Sequence, residues 1–453
     1  MRLIVCKWFV ASSLLFSLAT AQTRPQYGGT LRVATSAAFT SLDPADRTQV
    51  DSFARNSVTA LIFDTLIRLD SSGRPQPSLA ISWGGSRDSK RWNLRIRSGL
   101  VFHDGSAVTP EAVAASLRLV NQAWNVLAEL DSVTIQSDSP VPTMPAMLAL
   151  PGNAIVKRGS GQSVSGTGPF RVSDWQPGKM LTLAANEDCW RGRPYLDTIE
   201  VNLGMPARDE VAAIDTERST LIQLPGEMAK RMSGHTAVSS PAIELVAIIF
   251  ARDPQGQDEM TRRDALALSL DRASIHNVLL QGAGDAQGSI LPDWMTGYGA
   301  LFPSQADLPR AKRLMQQVAS SPAWTLKYDP ADTLLRLLAE RIALNAKDAG
   351  LVITPVTVGP FDARLVRVVL PVADAWVDLA WISEIAGTPI SPATEMSVEQ
   401  LYAAEQRVLA AKRIIPLLHL PAVYAATKSL RGWSAGATGT WQIADAWQEP
   451  SVP

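Results

Sequence analysis

The segment from Leu66 to Leu117, LIRLDSSGRPQPSLAISWGGSRDSKRWNLRIRSGLVFHDGSAVTPEAVAASL, constrains this chain more than any other. Asp70-Ser71-Ser72-Gly73 is a turn cluster, and Pro75 and Pro77 frame an extended piece ahead of Leu79-Ala80 and Trp83. Trp92, Leu94 and Ile96 alternate with Asn93, Arg95 and Arg97, the period of a strand with one buried and one wet face. The apolar run Leu100–Phe102 predicts a second strand, closed by the turn His103-Asp104-Gly105. Thr109-Pro110-Glu111 then supplies an N-cap, a first-turn proline and a carboxylate near the start of a helix that runs through Leu119.

The order of these residues, P-x-L-A-x-S-W, then R-x-W-x-L-x-I-R-x-G-L-x-F-H-D-G, then T-P-E-A-V-x-x-S-L, resembles the family 5 solute-binding proteins, the peptide, nickel and oligosaccharide receptors of ABC importers. The resemblance extends in both directions. Upstream, Gly28-Gly29-Thr30-Leu31-Arg32-Val33-Ala34 and Leu42-Asp43-Pro44-Ala45 look like the opening of the family's first lobe. Downstream, Gly166-Thr167-Gly168-Pro169-Phe170 looks like the motif that returns the chain to that lobe, and Asn186 to Asp197 continues the match with Cys189 where an aromatic is usual. Arg263 to Ile275, the Ile415-Pro416-Leu417 strand and the Leu430 to Trp433 turn carry it almost to the C-terminus. The resemblance implies an α/β, two-lobed periplasmic-binding-protein fold of type II, with an extra subdomain in the first lobe and a hinge between lobes. Lobe I would comprise residues 22–45, 160–245 and 416–453, its subdomain 46–159, and lobe II 246–415. Only Ile390 to Ser397 separates the site loop from the last long helix, so lobe II is expected to be short on its ligand side.

Between these motifs the chain gives its own signals. Ser52 to Leu66 places Val58, Leu61, Ile62 and Leu66 on one helical face. Val133-Thr134-Ile135 reads as a strand, and the four prolines from Pro140 to Pro151 argue against a long regular element there. Phe170–Trp175 and Met180–Ala184 form a hairpin about Gln176-Pro177-Gly178-Lys179. Ala207 to Pro225 reads as helix then strand, and Ile243–Phe250 as a buried strand. Helices are predicted over Pro309–Val318, Thr333–Ala349 and Glu399–Lys412, the second with Leu334, Leu337, Leu338, Arg341, Ile342 and Leu344 at helical spacing and Gly350 at its end. Helix followed by strand is the rhythm of an α/β lobe.

Met1 to Ala21 reads as an export signal, with Arg2 and Lys7 ahead of an apolar core and an Ala19-Thr20-Ala21 cleavage site. Its core falls short of the ~20 residues of a spanning helix, and Cys6 lies upstream of the core rather than at a lipidation position. A periplasmic monomer that neither spans the membrane nor carries a lipid anchor is expected. A chain of 453 residues exceeds what one core usually supports. Its net charge of −1 gives no electrostatic reason for nucleic acid or an anionic membrane as partner. Past the signal, Cys189 is the only cysteine, so neither an internal disulfide nor a cysteine-based metal cage can form.

The functional candidates lie in Asp374 to Thr394, DAWVDLAWISEIAGTPISPAT. In the resembled family a buried strand ends here in a tryptophan that lines the pocket, and a carboxylate three positions later pairs with a peptide's free amine. Trp381 and Glu384 have that spacing, and Trp376 lies beside them. A carboxylate fixing the charged end of an extended ligand would set its register. The acid is Glu rather than Asp, and Gly387-Thr388-Pro389 replaces the usual D-P. Buried tryptophans and a solvated loop acid would produce the same pattern. Phe39 and Ser41 complete the candidate ligand-binding set.

An enzyme is not expected. Gly432-Trp433-Ser434-Ala435-Gly436 fits G-x-S-x-G, but no histidine follows Ser434 to complete a hydrolase triad. The histidines at 103, 235, 276 and 419 form no H-E-x-x-H or i, i+4 pair, Gly282-Ala283-Gly284 lacks the third glycine of a dinucleotide loop, and no phosphate-binding P-loop is present. No cofactor and no metal site are predicted. His103 reads as structural, while His419 stays a candidate because a heme or nickel-chelate receptor can use a single histidine. The expected partners are a small solute, a short peptide first, and the permease subunits of an ABC importer. The alternative is a degenerate receptor acting as an envelope sensor or interaction protein.

Overall fold

Gly28 and Gly29 both take positive φ, a region that side-chain-bearing residues rarely enter, and they release the chain into its first strand. The computed structural model describes residues 24–70, 72–161, 163–224, 235–390 and 396–449, and the export signal lies outside them. In chain order, β1 (Thr30–Ala34) leads to α1 (Phe53–Ile62). A separate sheet follows, made of β2 (Ala80–Gly85), β3 (Arg91–Ile96), β4 (Trp124–Ala128) and β5 (Ser132–Ser137) in the order β2-β3-β5-β4, with α2 (Pro110–Val120) packed on it. The chain returns through β6 (Phe170–Gln176), β7 (Met180–Ala185), β8 (Thr198–Asn202), α3 (Ala207–Asp215) and β9 (Leu221–Leu224). The second half contains β10 (Thr236–Phe250), α4 (Gly256–Ser269), β11 (Trp324–Lys327), α5 (Thr333–Asp348), β12 (Ile353–Val356), β13 (Ala363–Val369), α6 (Ala375–Ile385), α7 (Val398–Ala410) and β14 (Ile414–Ala426).

Ten strands form one sheet in the order β6-β7-β8-β1-β9-β14-β10-β13-β11-β12. The long antiparallel pair β10 and β14 joins its two halves, from Thr236 opposite Ala426 to Ile249 opposite Ile414. One end of β14 takes β9 as its other neighbour, and the far end of β10 takes β13. The pairing is interrupted between Ser239 and Glu244 and again at Val246–Ala247, where bulges bend the ladder. Glu244 to Ile249 are paired on both sides, with β13 and with β14.

Alternation along β10 distributes its side chains between two cores. Leu245, Ala247 and Ile249 join an apolar cluster that continues from β1 and α1 to α6 and α7, and Val246, Ile248 and Phe250 pack under α4 and α5. A third cluster fills the small sheet beneath α2, around Leu94, Leu117 and Val133.

The G-T-G-P-F motif has a packing reason. Gly168 N–H donates to the Ile62 carbonyl at 3.0 Å, and a Cβ at position 168 would lie 2.5 Å from the Leu61 carbonyl oxygen. A Cβ on Gly166 would overlap the carbonyl of Ile62. Only backbone fits against the end of α1 here. His103 closes the same junction. Its backbone N–H donates to Gly166 O at 2.8 Å, its Nε2 donates to Gly168 O at 3.0 Å, and burial lowers its pKa.

Several sequence expectations need correction. Leu100–Phe102 is not a second strand. Val101 makes one isolated bridge to Ala107, because Asp104 accepts from the Ser106 N–H and holds a tight turn. β3 pairs instead with β2 and β5, and β4 was not foreseen. The helix after Ser52 ends at Ile62 rather than Leu66, since Phe63 is already extended. On α5, Leu335, Leu338 and Ile342 face the core, while Leu344 is exposed.

Candidate functional site

A cleft of about 540 Å³ opens between the two halves of the molecule. That volume lies within the ~300–1,000 Å³ of small-molecule sites. One wall is the Pro44–Asp51 segment and α1, the second is the proline-rich stretch from Pro142 to Asn153, and the third is Pro371 and α6.

The first wall begins at Ser52, whose extended backbone and side-chain oxygen, accepting from the Arg55 N–H at 3.1 Å, start α1. Phe53, Val58, Leu61 and Ile62 enter the core. Arg55, Asn56 and Thr59 line the cleft although each is more than nine-tenths buried. Arg55 holds the preceding loop in place: Nη2 donates to the carbonyls of Asp43 at 2.9 Å and Asp46 at 3.1 Å, and Nη1 pairs with Asp51 at 3.2 Å. Asn56 and Thr59 make no side-chain hydrogen bond to any described residue.

In the second wall, prolines prevent a long helix and side chains supply the order. Asn153 donates from Nδ2 to Met147 O at 2.7 Å and accepts from Asn121 Nδ2 at 2.7 Å. This fixes Met147 and Leu150 as apolar lining.

The third wall departs from the sequence reading. The segment carrying Trp376, Trp381 and Glu384 is α6, a helix rather than the end of a buried strand. The buried strand is β13, and it runs into Leu370-Pro371-Val372, which holds no tryptophan. Asp374 starts the helix by accepting from the N–H groups of Trp376 at 3.1 Å and Val377 at 3.0 Å. Asp378 is fully buried and accepts from the Val372 N–H at 3.3 Å, and burial pushes its carboxyl well above the ordinary range. Residues 376, 377, 380, 381 and 384 recur at helical spacing and share the face that lines the cleft. The helix thus brings Trp376, Trp381 and Glu384 together opposite α1 by a different route from the one expected. Trp381 is 37% exposed, and the Glu384 carboxylate is exposed at the rim with no partner among the described residues.

Phe39 and Ser41 are not at the cleft. Phe39 is 2% exposed and stacks on Trp175 at 5.9 Å, filling the core under the β6–β7 turn. Ser41 Oγ accepts from the Asp43 N–H at 3.3 Å, a local turn that ends before the chain reaches the cleft at Pro44. His419 is fully buried and donates from Nε2 to Ile290 O at 2.9 Å, with burial lowering its pKa to about 4. It lies away from the cleft lining. Asn56, Thr59 and Asn153 were missed because polar residues opposite an apolar stripe, or among prolines, look like a solvent face. No signal in a single sequence separates a face turned to water from one turned into a cleft.

Among the described residues no helix is long and apolar enough to cross a membrane, and no group of three or more His, Cys, Asp or Glu is placed to hold a metal ion. Residues 74–381 match the family model "Bacterial extracellular solute-binding proteins, family 5 Middle". Curated relatives include the oligopeptide-binding protein AppA of Bacillus subtilis, 23% identical over 338 residues that cover 66% of this chain and 60% of AppA. The nickel-binding protein NikA of Staphylococcus aureus is 22% identical over 310 residues, 64% of this chain and 63% of NikA. These matches span less than two thirds of either relative's own length. Among solved structures, Staphylococcus aureus NikA in complex with Ni(L-His)2 superposes with a TM-score of 0.78 at 16% identity, covering 93% of this chain and 100% of that one. Helicobacter pylori DppA in complex with the peptide STSA gives 0.79 at 18% identity, covering 94% and 99%. With a family match over more than half of the sequence, and superposition on those structures along nearly the whole chain, the chain belongs to the family 5 bacterial extracellular solute-binding proteins and has their two-lobed type II fold.

Proposed function

We propose that this chain is the capture component of an ABC-type importer, working in the periplasm as a monomer after export. It holds a small solute, a short peptide first, between its lobes and delivers it to membrane permease subunits. The observation that carries this reading is the cleft between the halves, walled by Trp376, Trp381 and Glu384 on one side and α1 on the other. Such a cleft closes by bending at the strands that join the lobes, and ligand present only in the closed form shifts the population toward it. The curated relatives' names, oligopeptide-binding and nickel-binding, support a solute-capture role.

Glu384 faces the solute's charged end in this reading. Because the carboxylate is exposed in the free chain, Glu384→Ala costs about 1 kcal/mol, close to fivefold in affinity, for a tripeptide with a free amine. Titration calorimetry of parent and variant with Ala-Leu-Gln tests this, and equal affinities remove Glu384 from the site.

The second reading is a receptor that no longer feeds an importer and serves as an envelope sensor or interaction protein. It is favoured by one observation: β13 ends without the tryptophan and carboxylate expected at that strand's end. Native mass spectrometry of the chain purified gently from the envelope separates the two. Adducts of defined mass that disappear on denaturation support capture, and a bare mass with no thermal shift across peptide, sugar and chelate libraries supports the second reading.

A further inference from the structure

We infer that the inner end of the cleft selects an uncharged, hydrogen-bonding group of the solute, an amide or a hydroxyl, with Asn56 and Thr59 as its anchors. The inference rests on the cleft being the solute site.

Four polar side chains of the cleft lining are more than nine-tenths buried, and they divide sharply by what they already hold. Asn153 is occupied by Met147 O and Asn121, and Arg55 by two backbone carbonyls and Asp51. Asn56 and Thr59, 7% and 6% exposed, have no hydrogen-bond partner among the described residues. Their polar atoms are not sealed from solvent but open to the cleft, so a solute that displaces the cleft water must satisfy them in its place. The two residues are one turn apart on α1, a rise of about 4.5 Å, so one ligand group can reach both. The Asn amide offers a donor and an acceptor and the Thr hydroxyl offers either, which matches an amide or a hydroxyl and leaves any ionic group short of a counter-charge.

Charge is arranged the other way. The only ionised group at this depth, Arg55, is neutralised by Asp51 and spent on the loop it holds. Arg47, Asp51 and Glu384 are exposed at the rim. An ion driven to the inner end would lose its water without gaining a counter-charge, whereas an ionic group kept at the rim stays solvated. Trp376, Met147, Leu150, Val377 and Ala380 supply apolar lining to the same cleft and suit an apolar part of the solute. The solute class is therefore an amphiphile that enters neutral end first and keeps its charge at the mouth.

Three probes of nearly the same shape test this on the full chain: benzamide, benzoate and benzamidinium, with binding followed by tryptophan fluorescence and ligand-observed NMR. Benzamide is expected to bind about tenfold tighter than either ion, since one good hydrogen bond set against an unpaired polar group is worth about that factor. Asn56→Leu and Thr59→Val, which keep the volume of the wall, should each remove most of this preference, and Thr59→Ser should keep it. Unchanged denaturation midpoints confirm that the variants are folded. Equal binding of an ion and benzamide, absence of binding by all three, or a preference that survives both variants overturns the inference. Failure of the peptide reading shows separately, as benzamide binding without any binding of free-amine peptides.

Discussion

Replacing Asp64 by alanine should be among the most costly single changes outside the apolar cores. Asp64 lies just past the end of α1 and is 5% exposed. Its Oδ2 accepts from Thr167 Oγ1 at 2.8 Å and from Trp190 Nε1 at 2.9 Å, and its Oδ1 meets Arg191 Nη2 at 2.9 Å. A hydrogen bond to a charged group is worth about 1.5–3 kcal/mol, and the Thr167 hydroxyl, in a residue 1% exposed, would be left with no partner. The Arg191 side chain is 39% exposed, so its ion pair adds less than about 1 kcal/mol. Asp64→Ala should therefore cost about 3–5 kcal/mol. Asp64→Asn can keep one oxygen facing both Thr167 and Trp190 and turn its amide toward Arg191, which is free to swing into water, so about 1–2 kcal/mol is expected. Urea denaturation followed by tryptophan fluorescence gives both values from the shift in midpoint at constant slope. Equal costs for the two variants, or an alanine cost below 1 kcal/mol, would refute the reasoning. Because Asp64 anchors the end of the helix that carries Asn56 and Thr59, the alanine variant should also weaken any probe that binds in the cleft.

Three other outcomes are expected from the geometry. Gly168→Ala should cost more than about 2 kcal/mol or abolish soluble expression, because its Cβ would meet the Leu61 carbonyl where neither backbone can retreat; a variant within 1 kcal/mol of the parent counts against the packing account. Glu405 is fully buried and accepts from the N–H groups of Ile290 and Leu291, and burial raises its pKa from 4.5 to about 7. Its contribution is complete below 4.5 and is lost as pH rises through about 7, while the lowered pKa of His419 acts in the opposite direction between about 4 and 6.5. Relative to the parent, Glu405→Gln should gain about 3 kcal/mol between pH 5 and pH 8, read from urea midpoints at the two pH values, and a difference that does not change with pH refutes the assignment. Val372 and Val377 pack against Ala146, with Leu69, Met147 and Leu150 around them, an apolar contact that bridges the cleft walls. Val377→Ser should loosen that contact and raise the radius of gyration of the ligand-free chain in small-angle scattering, and an unchanged radius shows that the contact does not hold the walls together.

The sequence by itself determined the family and most of the strands. The motifs from Leu66 to Leu117 and Gly166 to Phe170 are legible because each satisfies a local requirement: an N-cap at Thr109, a turn at Asp104-Gly105, and glycines at 166 and 168 where α1 leaves room only for backbone. Alternation over Trp92–Ile96 and the apolar run of Ile243–Phe250 likewise report burial that the strand itself enforces. What the tertiary structure decided is which polar residues face the solute. Trp381 and Glu384 carry the right spacing for a strand end, yet Asp374 caps a helix there, and the helical period rather than the strand end brings them to the cleft with Trp376. Phe39 is an aromatic in a suitable loop that the core takes instead. Asn56 and Thr59 stand on a helix whose apolar stripe implied that they faced water. Only the far wall, folded from residues some three hundred positions later in the chain, makes that face the wall of a cleft, and no local pattern around residue 56 can encode where that wall will be.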